Sequence, residues 1–74
     1  MKIKPPAGLP ANAFGFIAPH YRRCEYMAAY TREGDLMVTS ASGDLAGAIA
    51  HWQPWAASEG RTITAEGFIL GTEQ

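Results

Sequence analysis

The chain has 74 residues, 47% of them hydrophobic and 18% charged, with a formal net charge of −1. A domain of this length buries only ~60% of its unfolded surface, which supplies one core and no second domain or deep substrate cleft. The apolar content argues against disorder throughout, and the near-neutral balance gives no bulk attraction to nucleic acid or to acidic membranes.

Residues 1–20 hold Pro5, Pro6, Pro10 and Pro19 together with Gly8 and Gly15. Proline fixes φ and biases the residue before it to extended geometry, so this stretch reads as an irregular N-terminal arm. Ile3, Leu9, Phe14, Phe16 and Ile17 lie along it. An arm with that much to bury packs on the domain or on a partner.

Residues 21–31 alternate, with Cys24, Tyr26, Ala28 and Tyr30 on one face and Glu25, Met27, Ala29 and Thr31 on the other. Aromatic residues and low charge fit a central strand buried on both faces. Arg32-Glu33-Gly34-Asp35 is a turn, and Leu36 to Ala41 returns as the second strand of a hairpin. Ser42 is placed to cap a helix whose first turn includes Asp44. Leu45, Ile49, Trp52 and Ala56 then recur on one helical face. Pro54 interrupts that pattern, and the expectation is a kinked helix reaching Glu59 with Gly60 as its cap. Arg61 to Leu70 forms a third strand with a bulge at Gly67.

The predicted fold class is α+β. A three-stranded antiparallel/mixed sheet (ββαβ, order 2-1-3) carries one kinked helix on one face. The domains are an arm over residues 1–20 and a single ββαβ domain over residues 21–71. One helix leaves the other sheet face to be covered by the arm, by a second subunit or by a binding partner.

Cys24 is the only cysteine. No intrachain disulfide can staple the fold, which favours a reducing, intracellular compartment. Lys2 and Lys4 resemble the start of a signal peptide, but the prolines that follow break any apolar run of the required length. No stretch is long and apolar enough to span a bilayer. The expected location is cytoplasmic, with no membrane contact.

His20, Cys24 and His51 are the residues from which a metal site or a cysteine nucleophile with a histidine base would be built. Structural zinc normally takes four ligands in tight pairs, and here one loose pair, His20 and Cys24, stands apart from His51. No third group orients a base, no nucleophile elbow surrounds Ser40, Ser42 or Ser58, and no glycine run cradles a phosphate. Glu33 and Asp35 sit at a turn tip, where carboxylates stay solvated. The expectation is therefore no enzyme, no cofactor and no metal.

Charge is unevenly placed. Lys2, Lys4, Arg22 and Arg23 precede the first acid, whereas all seven acidic residues follow, against Arg32 and Arg61. A basic arm across an acidic domain, or an acidic surface steered to a larger partner, both fit this layout. Trp52 lies on the helical stripe as a core anchor, and Trp55 beside it is a candidate interface residue. The candidate partner-binding residues are Phe14, Phe16, Tyr21, Arg22, Arg23, Glu33, Asp35 and Trp55. The partners implied are a larger protein or ribonucleoprotein, or a second copy in a homodimer.

The reading favoured is a non-catalytic protein-binding module, an inhibitor or regulator of a larger intracellular assembly. In size and organisation such a small, cysteine-poor ββαβ chain resembles phage-encoded inhibitors of bacterial defence, anti-CRISPR proteins among them. No motif carries this resemblance. One alternative is a nucleic-acid-binding module that stacks bases on Tyr21 beside Arg22 and Arg23. The other is a small enzyme or metal protein built on Cys24, His20 and His51.

Overall fold

The computed structural model describes residues 2–23 and 25–71. Cys24, expected on a buried strand, lies outside them, as does the end of the chain at 72–74. The elements in order are β1 (Ala13–Pro19), β2 (Met27–Thr31), β3 (Leu36–Thr39), α1 (Leu45–Ser58), β4 (Thr62–Ile63) and β5 (Phe68–Leu70). They form one five-stranded sheet in the order β3-β2-β1-β5-β4, and every neighbouring pair is antiparallel.

The α+β class holds, with one helix and an antiparallel sheet, but the sheet has five strands rather than three. The added central strand, β1, comes from within residues 1–20. Between Pro10 and Pro19 the run Ala-Phe-Gly-Phe-Ile-Ala carries no charge, so both its faces are apolar and suit a strand covered on both sides. The strand expected over 21–31 is confined to β2, beside the centre. The single third strand is instead a β4–β5 hairpin. Gly67 has φ 89°, and its amide donates to the Thr64 carbonyl at 2.9 Å, so the chain turns there instead of bulging.

The hairpin of β2 and β3 forms around Arg32–Asp35, with the Thr31 amide donating to the Asp35 carbonyl at 2.8 Å. The helix starts differently from expectation. Asp44 is the N-cap residue, with extended φ −130° and ψ 159°, and no side chain caps the first turn. The Ser42 hydroxyl instead donates to Asp44 Oδ1 at 2.7 Å. Pro54 does not end the helix. It and Ala50 are on the exposed side, so the Ala50 carbonyl, deprived of an amide partner, is left to water. At the far end the Gly60 amide donates to Ala57 and the Arg61 amide to Ala56, a Schellman closure at 3.2 and 2.8 Å.

The sheet has two covered faces. On one, Ile17, Met27, Ala29, Ile63 and Ile69 pack against Ala48, Trp52 and Ala56 of α1. On the other, Phe16, Ala28 and Tyr30 are covered by Ile3 and Leu9 together with Phe68. The N-terminal segment that supplies this second cover is fastened by polar contacts. The Ile3 amide donates to the Gly34 carbonyl at 3.0 Å. Arg32 Nη1 donates to the carbonyls of Pro10, Ala11 and Ala13 at 3.2, 3.0 and 2.9 Å.

Gly15 sits on β1 directly against the backbone of β2 at Tyr30. A Cβ there would strike the Tyr30 carbonyl oxygen and come within 3.2 Å of Met37 Cε. Because backbone cannot move aside as a side chain can, Gly15→Ala is expected to cost roughly 1–3 kcal/mol, read as a lower denaturant midpoint. An unchanged midpoint would show that the strands can separate there without loss.

Burial pushes the Tyr30 phenol above its usual range; a hydrogen bond with the Tyr21 backbone opposes the shift and the charge of Tyr21 adds to it. The folded protein thus holds this proton more tightly than the unfolded chain does. Stability from this group is intact below about pH 10 and falls as pH rises through the folded value. Tyr30→Phe is expected to flatten that alkaline decline in denaturant titrations run at increasing pH, whereas an identical decline in both proteins would place the phenol in water.

Candidate functional site

The two edges of the sheet are unlike. β4 is two residues long, and the turn before it is tied to α1 through the Arg61 amide. β3 is four residues long, and no strand pairs with its outer side among the described residues. Leu36 and Val38 are 44% and 48% exposed. An edge of this kind offers unpaired backbone N–H and C=O groups beside apolar side chains, which is a template for another strand.

A bulge shapes this edge. Tyr30 pairs with Leu36 and Ala29 with Val38, so Met37 is the extra residue on β3. Met37 packs against the helix-side core. With Val38, Ala29, Trp52 and Trp55 it lines a groove of about 260 Å³ between β3 and α1. Trp52 is buried, whereas Trp55 is 38% exposed at the same groove. Among the described residues no charged side chain lines it, so an apolar group entering it would displace water without stripping a charge.

A second concavity lies at the other end of β3, against the β1–β2 loop. The loop is closed by the His20 amide donating to the Tyr26 carbonyl and the Tyr26 amide donating to the Arg23 carbonyl, both at 2.8 Å. His20 Nδ1 accepts from the amides of Arg22 and Arg23, each at 3.1 Å. The His20 ring stacks on Tyr21, with Arg22 5.4 Å from the Tyr21 ring centre and Arg23 5.5 Å from that of Tyr26. His20, Arg23, Tyr26, Thr39, Ser40 and Ala41 line a hollow of about 420 Å³.

The candidate residues fall into separate places. Phe16 is fully buried and stacked on Tyr30 at 5.5 Å, so it belongs to the core and offers a partner nothing. Phe14 is half-buried beneath the Arg61 guanidinium, 3.7 Å from its ring centre. Tyr21, Arg22 and Arg23 gather on the β1–β2 loop rather than on a strand. Glu33 and Asp35 occupy the β2–β3 turn, where Lys2 Nζ lies 3.9 Å from Asp35 with both side chains largely in water. Such a pair contributes little to stability. Trp55 alone of the candidates lines the groove beside β3.

His51 is exposed on α1, edge-on to Trp52 at 5.8 Å, while His20 is in the loop. Among the described residues, no group of three or more His, Cys, Asp or Glu comes together in a way that could hold a metal. No helix there is long and apolar enough to cross a membrane. Leu36, Met37 and Val38 were not singled out from the sequence. Their alternation signals a strand, but a strand at a sheet edge reads the same as one inside.

The two tryptophans separate core from surface. Trp52→Ala is expected to cost about 3–5 kcal/mol in chemical denaturation, because it empties the contact between helix and sheet. Trp55→Ala is expected to cost about 1 kcal/mol or less. Equal losses would make Trp55 a core residue and close the groove as a surface.

Comparisons with protein-family models, with curated proteins and with solved structures find no match to this chain.

Proposed function

We propose that this chain is a non-catalytic protein-binding module, an inhibitor or regulator of a larger intracellular assembly, and that it holds its partner at β3. The observation that carries this reading is the exposure of Leu36 and Val38 on an unpaired edge strand beside the Trp55 groove. The occupant is an extended segment of another protein, added to the sheet as a sixth strand. Main-chain hydrogen bonds along β3 supply the pairing, and an apolar side chain of the segment enters the groove between Val38 and Trp55. The flanking turn with Glu33 and Asp35 and the loop with Arg22 and Arg23 give the two ends of β3 opposite character, which favours one direction of the incoming strand. A single cysteine suits a cytoplasmic setting. The size and organisation that resemble phage-encoded inhibitors of bacterial defence fit a small chain whose work is to occupy a surface of something larger.

Selection of displayed random peptides on the purified protein tests this. Binders are expected to carry alternating apolar residues and to shift the amide resonances of Leu36–Thr39 and the Trp55 indole. Val38→Lys, which places a charge on the edge without touching the buried core, is expected to weaken them about tenfold or more while leaving the melting curve in place. Binding that is indifferent to Val38→Lys would overturn the assignment. So would a concentration-dependent dimer that the same substitution abolishes, since it would give the edge to a second copy.

A further inference from the structure

We propose that the hollow between the β1–β2 loop and the end of β3 binds a phosphate monoester group. It shares only Thr39 with the β3 edge and nothing with the lining of the Trp55 groove, and the residues that carry it, His20, Arg23, Tyr26 and Ser40, lie outside β3.

The inference begins with His20. Its Nδ1 accepts two backbone amides, so that nitrogen carries no proton, and the proton of the neutral ring is on Nε2 as a donor. The ring is held in this orientation by the loop it closes. Arg23 lines the same hollow with its guanidinium near the Tyr26 ring, and the planar fork of arginine suits two phosphate oxygens at once. Ser40 is only 4% exposed, and its Oγ accepts from the Ser42 amide at 2.9 Å, which leaves its own O–H to donate. Thr39 adds a second hydroxyl and Tyr26 a phenol.

The lining is therefore rich in donors, and among the described residues no carboxylate is part of it. The nearest acids in sequence are otherwise engaged or directed. Asp44 receives the Ser42 hydroxyl, and Glu25 is exposed and outside the lining. The three terminal oxygens of a phosphate monoester match this number of donors better than the two of a carboxylate. The hollow, at about 420 Å³, has room for the group that carries the phosphate. A nucleic-acid backbone fits less well, because its diesters need a continuous track of cations. Here Arg22 lies over Tyr21, and among the described residues Arg23 is the one cation lining the hollow.

Titration of the isotope-labelled protein with inorganic phosphate, O-phosphoserine and a nucleoside 5′-monophosphate, followed by NMR, provides the test. Saturable shifts centred on His20, Arg23, Tyr26, Thr39 and Ser40 are expected. Tighter binding of phosphoserine than of phosphate would point to a modified protein as the source, and tighter binding of the nucleotide to a small molecule. Arg23→Gln is expected to weaken binding about tenfold or more, and Arg23→Lys to retain part of it. Thr39→Val, on the opposite wall, gives an independent loss should the loop variant fail to fold. The proposal is overturned by an absence of saturable shifts with all three probes, or by equal binding to the parent, to Arg23→Gln and to Thr39→Val. It is also overturned if a single-stranded oligonucleotide displaces the monoesters and spreads the shifts over Tyr21 and Arg22.

Discussion

β1 has no face to give to water. Phe16 is enclosed with Tyr30 on one side of the sheet, and Ile17 is enclosed with Ile69 and the helix on the other. A single helix can cover only one of these, so a 74-residue chain must find its second cover elsewhere. Residues near the N-terminus provide it, with Ile3 and Leu9 over Phe16 and the Arg32 guanidinium holding three carbonyls of the incoming segment. Small domains are short of buried area, and this arrangement puts the proline-rich stretch to use as apolar cover. The close passage of Gly15 against Tyr30 follows from the same need, because strands on both sides must approach β1 fully.

The local parts of this architecture were legible in the sequence. Arg32–Asp35 announces its turn, and the recurrence of Leu45, Ile49, Trp52 and Ala56 announces the helix. What was not legible depended on partners far along the chain. The prolines around 13–18 suggested irregular structure, yet Pro10 precedes the strand and Pro19 is its last residue, so neither interrupts it. Ser42 and Asp44 read as a cap and a first-turn acid, but they bond to one another and Asp44 becomes the N-cap, so the helix starts at Leu45. Pro54 is compatible with a helix that runs on past it, as expected, although the pattern alone cannot say which side of the helix meets water.

The candidate sites show the same division. Arg22, Arg23 and Tyr21 do lie together, since they are adjacent in the chain, and Trp55 does border a groove. Phe14 and Phe16 are candidates only if residues 1–20 form an irregular arm that docks on a partner; in β1, Phe16 lies in the core and Phe14 is half-buried under Arg61. Leu36, Met37 and Val38 escaped notice because exposure is a property of sheet order, not of residue type. Likewise, nothing in the spacing of His20 and Ser40 brings them to one hollow until β2 and β3 pair.

The order of strands also fixes how the molecule can assemble itself. β1, β2 and β3 follow one another as a meander, so each pairing closes a short loop. The β4–β5 hairpin is local as well, and only the β1–β5 pairing, which joins Ala13 to Leu70, spans most of the described chain. Loop-closure entropy grows slowly with length, but it must be met before the distant contact returns anything. The three-stranded half can gain local pairing early, whereas the helix face stays open until β5 arrives beside β1. Until then Ile17 and Trp52 lack Ile69, and the interval before that last strand docks is when the chain is most exposed to self-association.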